Sequence, residues 1–331
     1  MNAEVRATNQ TTMNQIQKIV RALDQFQQRH RFTAFASAVI KKYGEDQAGY
    51  QSALLTYYAF LSLFPLLLVL ATLTGLLAHS HPALQSSIIH SVTNYFPSIG
   101  NQLASVRGIH KSGLPLIIGI LFTFYGARGV ADAFRNGVNH LWRIPITDRD
   151  GFPKSLLKSL ALIAGSTFGL ILASACTGLT AAAGHGPVFK LLSVLVNMAV
   201  FFGLFSWLLN TSLPHHVPFR DVRSGALTAA VGLVLLQTFG AILLKNQLKS
   251  LDAVYSYFAV SLGLMFWLYL QAQVVYYSVE IAAVRTQKLW PRSLVDYGTA
   301  ADKRALKLQA AEARSIEQEH IEAKLGDPKK T

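Results

Sequence analysis

The stretch YQSALLTYYAFLSLFPLLLVLATLTGLLA, residues Tyr50 to Ala78, decides the fold class of this chain. It contains no charged side chain, and most of its residues are apolar. A helix needs about 20 mostly apolar residues to cross the roughly 30 Å of hydrocarbon in a lipid bilayer. This stretch exceeds that length, so the sequence predicts a membrane-spanning helix here.

Five further apolar stretches follow the first one along the chain. The predicted spans cover about residues 50–78, 113–127, 155–183, 187–213, 222–244 and 253–284. Only 14% of the 331 residues are charged, whereas a soluble domain carries about a quarter. A soluble core can supply one or two such runs but not six in succession. The sequence therefore predicts an all-α, polytopic transmembrane helical bundle with about six spans.

The placement of the basic residues predicts how these spans are oriented. The net charge is +13, which is typical either of nucleic-acid binding or of the cytoplasmic loops of a membrane protein. Of the 30 lysines and arginines, 25 lie in the segments that six spans with both termini inside would place in the cytoplasm. We therefore predict cytoplasmic termini and no nucleic-acid partner, because no basic patch interleaved with aromatic residues is present.

This topology divides the chain into three parts. Residues 1–49 form a cytoplasmic segment without a cleavable signal, 50–287 form the membrane domain, and 288–331 form a basic cytoplasmic tail. For the tail, a solvated helix and a disordered end are both open. Residues 126–142 are amphipathic and follow the short second span, which indicates that one helix continues past the membrane until Pro145 stops it.

Glu280 is the leading candidate for a functional residue, since an ionisable side chain inside a membrane span is costly. Tyr269, Gln273, Tyr276 and Glu280 are spaced by four, three and four, so they share one face of the sixth predicted span. A transport role is one interpretation. The other is an interfacial anchor or a structural ion pair near Arg285, because the sixth span is longer than one crossing requires.

Other polar or helix-bending positions add to the candidate set. Arg128 and Asp132 form an i,i+4 pair after the second span, and we hypothesise that Arg128 also faces Glu280 across the bundle. Pro65 lies in the middle of the first span with Tyr57 on its N-terminal side. A proline kink there would either line a cavity or serve packing. Asn139 lies on the polar side of the segment that follows the second span.

Signatures of enzymes and of bound cofactors are missing from the sequence. The chain has one cysteine, Cys176, and its ten histidines are dispersed. HExxH, GxSxG and GxxxxGK[ST] motifs do not occur. We expect no enzymatic activity, no metal, no cofactor and no ATP-driven pumping by this chain alone. Gly165, Gly169 and Ala173 are spaced by four, which favours close helix packing within the chain or, alternatively, a homo-oligomer.

Three segments together resemble the YihY/BrkB family of bacterial inner-membrane proteins, and the layout is most similar to its YhjD branch. They are ALLTYYAFLSLFPLLLVL (residues 53–70), FYGARGVADAFRNGVNHLWRIP (124–145) and AVYSYFAVSLGLMFWLYLQAQVVYYSVEIAAV (253–284). Positions that match the family pattern are Tyr57, Phe64, Pro65, Gly126, Arg128, Asn139, Trp142, Tyr255, Trp267 and Glu280. The family usually has Gly-Ala before this acid, whereas this chain has Ser278 and Val279.

The resemblance implies a six-helix protein of the bacterial inner membrane whose activity is unsettled. It leads to the expectation of a transporter, or of a flippase-like protein for lipid or envelope precursors such as those of lipopolysaccharide, working without ATP. Membrane lipids are the expected partners. The alternative is a structural or accessory protein of envelope biogenesis. A membrane-bound ribonuclease, an older label of the family, ranks last because these residues provide no phosphodiesterase site.

Overall fold

The computed structural model of the chain describes residues 21–22, 24–80, 86, 113–183, 186–214, 217–248, 256–294 and 298–325. Within these ranges the regular structure is helical, and no strand is present. The start of the sixth predicted span (residues 253–255) and the last six residues of the tail lie outside the described residues.

Eight α-helices account for most of the described residues. They are α1 (Arg31–Glu45), α2 (Ala48–Ser80), α3 (Gly113–Leu141), α4 (Lys154–Ala183), α5 (Pro187–Ser212), α6 (Phe219–Leu248), α7 (Ser256–Thr286) and α8 (Ala300–Leu325), with a short 3-10 turn at Ile146–Asp148. Helices α2 to α7 correspond to the six predicted spans. Pro65 lies inside α2 and does not end it, because the helix continues to Ser80.

The six long helices pack in a closed ring. Each helix from α2 to α7 contacts the next one along the chain, and α7 returns to pack against α2. Helix α7 also contacts α3 and α1, so it has neighbours on several sides. This ring places the C-terminal ends of α3, α5 and α7 beside the N-terminal ends of α2, α4 and α6. We call this the charged end, and the sequence predicts that it faces the cytoplasm.

Large apolar side chains remain exposed on the outside of the ring, which is the pattern expected of a surface in contact with lipid. The exposed side chains include Ile117, Leu121, Phe168, Ile171, Leu191, Leu195, Leu235 and Phe239. The interior is rich in alanine, valine and leucine, with a few aromatic side chains among them. Small residues allow helices to approach closely where no hydrophobic effect drives them together.

Four of the described helical stretches are long and apolar enough to cross a membrane. They are Ile117–Leu141, Lys154–Cys176, Leu191–Ser212 and Phe219–Gly240. The all-α membrane fold predicted from the sequence is thereby confirmed. The count of six spans and the cytoplasmic position of both termini stay predictions.

The small-residue face of α4 packs inside the chain. Gly165 lies against the ring of Trp207 and Gly169 against Leu204, both on α5, and Ala173 is fully buried. A side chain at Gly169 would collide with Leu204. Of the two readings of this face, intramolecular packing is therefore the one present in the structure.

Helix α3 is longer than the second predicted span, as the amphipathic segment indicates. It ends at Leu141, where the N–H of Ile144 donates to the Asn139 carbonyl at 3.0 Å and that of Arg143 to the His140 carbonyl at 2.9 Å. This pair of hydrogen bonds is a Schellman motif. The motif ends the helix before Pro145 is reached, so the proline follows the stop and does not cause it.

Candidate functional site

The site begins with Glu280, whose side chain near the end of α7 is completely excluded from solvent. Its Oε2 accepts a hydrogen bond from Lys42 Nζ at 2.7 Å, which joins α7 to α1. Its other oxygen, Oε1, is buried and accepts no hydrogen bond from any described residue. A buried carboxylate with one unsatisfied oxygen is costly to maintain, so this position calls for a functional explanation.

Lys42 is the cation that balances this carboxylate. Its ammonium group has three N–H donors, and each has an acceptor. These are the carboxylate of Glu280, the carboxylate of Asp46, and the Leu141 carbonyl at 2.5 Å. The Leu141 carbonyl is at the end of α3, so one ammonium links α1, α3 and α7. The side chain of Lys42 is only 3% exposed, which makes it a buried charge that depends on these partners.

The ion pairs continue outward from Asp46. Arg143 donates to Asp46 Oδ1 from Nε at 3.1 Å and from Nη2 at 2.5 Å, and its Nη1 donates to Glu312 at 2.8 Å. Glu312 lies on α8 and also accepts from Arg149 at 3.1 Å. We call Glu280, Lys42, Asp46, Arg143, Glu312 and Arg149 the inner network. It runs from inside the bundle to the tail helix.

Arg143 occupies a backbone conformation that favours glycine. Its φ is 54°, the left-handed region at which helices commonly end on a glycine. An L-residue with a side chain pays about 1–2 kcal/mol for this conformation. Glycine would avoid this conformational cost but could not form the ion pairs that the Arg143 guanidinium makes with Asp46 and Glu312.

A second group of ion pairs holds the start of α8, and we call it the outer network. Arg292 is 1% exposed and donates to Asp302 at 2.8 Å and to both oxygens of Glu45 at 2.7 and 2.9 Å. Asp302 also pairs with Lys41 at 3.2 Å. The Thr299 hydroxyl accepts from the Asp302 N–H, and the Asp302 carboxylate accepts from Thr299 in return. This reciprocal cap begins α8.

Each network lowers the pKa of one buried acid on α8, Asp302 in the outer network and Glu312 in the inner network. Burial alone would raise the pKa of Asp302, but hydrogen bonds from Thr299, Arg292, the Ser293 N–H and Lys41 outweigh it and bring the pKa to about 2. Burial likewise opposes ionisation of Glu312. Hydrogen bonds from His140 and Arg143, together with their charges, lower the pKa of Glu312 below its ordinary value.

The lowered pKa values predict that acid releases α8 from the membrane domain. A carboxyl group with a depressed folded pKa stabilises the docked state above its unfolded pKa and loses this contribution as pH falls through the folded value. For Asp302 this window is pH 3.8 to about 2. Fluorescence anisotropy of a dye on Lys307→Cys, in a Cys176→Ser background, should fall across this window. The Asp302→Asn variant should show low anisotropy already at pH 7, and a transition centred above pH 5 would contradict this assignment.

Two of the predicted site residues lie apart from Glu280. Arg128 has a half-exposed side chain, and the ion pair it makes is with Asp132 at 3.5 Å. Asp132 in turn accepts from Ser159 at 2.5 Å and faces Arg135 at 3.6 Å. The proposed pairing of Arg128 with Glu280 is wrong, because Lys42 takes that place. The i,i+4 pair itself is present as predicted.

The remaining candidates have separate positions. Asn139 is buried and donates to the Arg135 carbonyl at 2.8 Å and to the Ser212 carbonyl at 3.0 Å, so it ties α3 to the end of α5. Gln273 is half-buried on α7. Tyr57 is 56% exposed on the outer surface. Tyr57 and Glu280 therefore do not line one common cavity.

Sequence reasoning overlooked Lys42, Asp46, Arg143 and Glu312 as members of the site. Lys42 and Asp46 are spaced i,i+4 with opposite charges just before the first span, which was an available signal. Their burial was not readable, because a basic residue before a span ordinarily indicates topology. Glu312 lies in a tail whose composition resembles that of a solvated helix.

The donors in the described residues do not form a metal site. No group of three or more His, Cys, Asp or Glu side chains converges there. The inner network instead alternates acids with basic side chains, each within hydrogen-bonding distance of the next. Its chemistry is that of ion pairing.

The ring of long helices with apolar outer faces and a buried network of ion pairs defines an all-helical integral membrane protein. The family model described as virulence factor BrkB matches residues 39–300. The chain belongs to this family, which confirms the resemblance stated from its sequence. No solved structure matches the chain.

Several curated proteins are similar to this chain. A UPF0761 membrane protein of Psychrobacter sp. (strain PRwf-1) is 27% identical over 80% of this chain and 51% of its own length. The inner membrane protein YhjD of Escherichia coli (strain K12) is 22% identical over 75% of this chain and 80% of its own length. An uncharacterized protein of Dickeya dadantii (strain 3937) is 26% identical over 73% of this chain and 80% of its own length. The chain thus spans about half the length of the Psychrobacter relative.

Proposed function

We propose that this chain is a transporter of the bacterial inner membrane, or a flippase-like protein that moves lipid or envelope precursors, working without ATP and without enzymatic chemistry. The observation that carries the proposal is the carboxylate of Glu280. It is fully buried, ion-paired through one oxygen, and without a partner among the described residues at the other. Ionisable residues in membrane spans typically mark the pathway of an ion or substrate.

The inner network supplies the moving part in this proposal. Lys42 sits between Glu280 and Asp46, so it can keep one carboxylate partner while it releases the other. Release of Glu280 separates α1 from α7 at the charged end, and α7 packs against both α2 and α6. A change in the charge of Glu280 would thereby be coupled to the packing of the ring. The E. coli relative is named an inner membrane protein, which supports the same membrane for this chain. The placement of the basic residues along the sequence supports termini in the cytoplasm.

The test is lipid movement in proteoliposomes. The purified full chain is reconstituted with NBD-labelled phosphatidylglycerol, and dithionite quenching reports transfer between leaflets. We expect transfer well above that of protein-free vesicles, reduced at least about ten-fold by Glu280→Gln, since a lost charge-assisted hydrogen bond is worth about 1.5–3 kcal/mol. Glu317→Gln, an exposed acid on α8, is the matched control and should transfer lipid like the wild type.

A second candidate function is that of a structural or accessory protein in envelope biogenesis. The observation in its favour is that the inner and outer networks bind the segment before α2 and the tail helix firmly to the bundle. Such a charged end would suit the docking of another protein. A partner that co-purifies in stoichiometric amount, together with vesicles that show no transfer, would decide for this role and against transport.

A further inference from the structure

A separate cavity opens at the charged end between α4, α5 and α6. Its volume is about 340 Å³, which is within the range of small-ligand sites. It is lined by Lys158, Asn210, Thr211, Pro214, Val217, Pro218 and Phe219. None of these residues belongs to the inner or the outer network, so the proposed transport role does not use this cavity.

Lys158 gives the cavity a positioned positive charge. Its ammonium donates to the Leu213 carbonyl at 3.2 Å and pairs with Asp150 at 2.5 Å. A lysine has three N–H donors, and no third acceptor is present among the described residues. The side chain is 16% exposed, so two acceptors fix the ammonium in place while one donor stays available at the wall of the cavity.

The charge around the cavity favours an anion even though Asp150 and Asp221, the latter in the first turn of α6, offset part of it. Arg220 and Arg223 are exposed at the start of α6. Pro218 and Phe219 line the cavity at the N-terminus of this 30-residue helix, where the helix dipole adds partial positive charge. The polar side chains of Asn210 and Thr211 provide further hydrogen-bonding groups.

The surroundings of the cavity indicate that the anion comes from the lipid leaflet. Phe219 is 53% exposed, and Trp207, one turn before Asn210 on α5, is 39% exposed. Tryptophan side chains concentrate at the boundary between hydrocarbon and water, and the exposed ring of Phe219 adds apolar surface at the cavity. A ligand with a phosphate head and apolar tails would contact both the polar cavity and these rings at the same time.

We infer that this cavity binds the headgroup of an anionic phospholipid from the adjacent leaflet. A phosphate oxygen accepts a hydrogen bond from the remaining N–H of Lys158, and the phosphate lies between Asn210 and Thr211. The acyl chains lie along the lipid-facing surface of α5 and α6. Nothing in this site depends on Glu280. An experiment that rules out lipid binding in this cavity would therefore leave the transport proposal standing, and the reverse also holds.

The test is native mass spectrometry of the full chain titrated with phosphatidylglycerol in detergent. We expect Lys158→Gln to weaken binding about ten-fold, because a charge-assisted hydrogen bond to phosphate is lost. Lys158→Arg should retain most of the affinity. Lys154→Gln removes the same charge from an exposed residue one turn earlier and should stay within about two-fold of the wild type.

A second variant tests whether Lys158→Gln weakens binding only because it disturbs the end of α5, where Lys158 donates to the Leu213 carbonyl. Asn210→Leu leaves the bonds of Lys158 to Leu213 and Asp150 in place, and should also weaken phosphatidylglycerol binding. Equal losses in Lys158→Gln and Lys154→Gln would overturn the inference, as would equally tight binding of phosphatidylcholine. Displacement of the lipid by millimolar inorganic phosphate would show a site for soluble anions and would overturn the assignment to lipid.

Discussion

Replacing Lys42 by methionine should lower the free energy of unfolding by about 3–5 kcal/mol, because the buried carboxylate of Glu280 then has no cation beside it. Asp46 keeps its two hydrogen bonds from Arg143, so most of the loss arises at Glu280. Glu280→Leu alone should cost less, about 1–3 kcal/mol, since Lys42 retains Asp46 and the Leu141 carbonyl.

The double variant Lys42→Met/Glu280→Leu should recover most of the stability lost in Lys42→Met. Apolar side chains in place of a buried ion pair are often neutral or stabilising. Denaturant titration of the purified proteins in detergent gives the free energy of unfolding of each single variant and of the double variant. The losses of the two single variants should together exceed the loss of the double variant by about 3 kcal/mol or more, and this non-additivity measures the coupling of the pair. Strictly additive losses would mean that the two side chains do not interact.

The same double variant separates a transport role of Glu280 from a structural one. If Glu280 only stabilises the fold, the stable double variant should move NBD-labelled phosphatidylglycerol like the wild type. If its charge takes part in transport, lipid transfer should stay lost although stability has returned. Stability and flux measured on one preparation therefore give different answers for the two roles of the same residue.

Replacing Arg292 by methionine should release α8 from the rest of the protein. The substitution leaves Lys41 as the one cation of the outer network paired with Asp302, and it leaves Glu45 without the partner that it has in that network. Breaking one member of a buried ion pair costs about 3–5 kcal/mol. Since the affected contacts hold one helix, we expect local undocking of α8, with the membrane bundle intact.

Hydrogen exchange of the α8 amides measures this undocking directly. A loss of about 3 kcal/mol corresponds to exchange at least about 100-fold faster in α8, with little change in α3 to α7. Arg304→Met is the matched control. Arg304 is exposed and makes one hydrogen bond to the Lys288 carbonyl at 2.6 Å, so its loss should stay within about 0.5 kcal/mol. Faster exchange throughout the bundle would show that α8 and the ring unfold together.

The networks also clarify why some sequence predictions were right and others wrong. The i,i+4 pair of Arg128 and Asp132 is local, so spacing alone identifies it. The partner of Glu280 is Lys42, which is 238 residues away along the chain. Helical periodicity shows which face of α7 is polar, but the residue opposite that face depends on how α1 packs against α7.

Asn139 and Glu312 are two further residues whose partners lie on other helices and could not be identified from the sequence. The position of Asn139 on a polar helix face suggested a functional side chain, whereas its amide joins α3 to the Ser212 carbonyl on α5. Glu312 has the local sequence of a solvated helix, yet it is 7% exposed because Arg143, Arg149 and His140 converge on it. Burial of a charged residue requires partners from distant segments, and composition does not reveal them.

By itself, the sequence determined the all-helical membrane fold, the family, and the continuation of α3 beyond its apolar part. These follow from the length and periodicity of apolar runs and from local motifs, since each helix must satisfy its own backbone hydrogen bonds in lipid. Only the tertiary structure decided which charges are buried and how they pair. Ion pairs between helices form across a packed interface, where distance and exclusion of water set their strength, and the spacing of residues along one chain contains neither quantity.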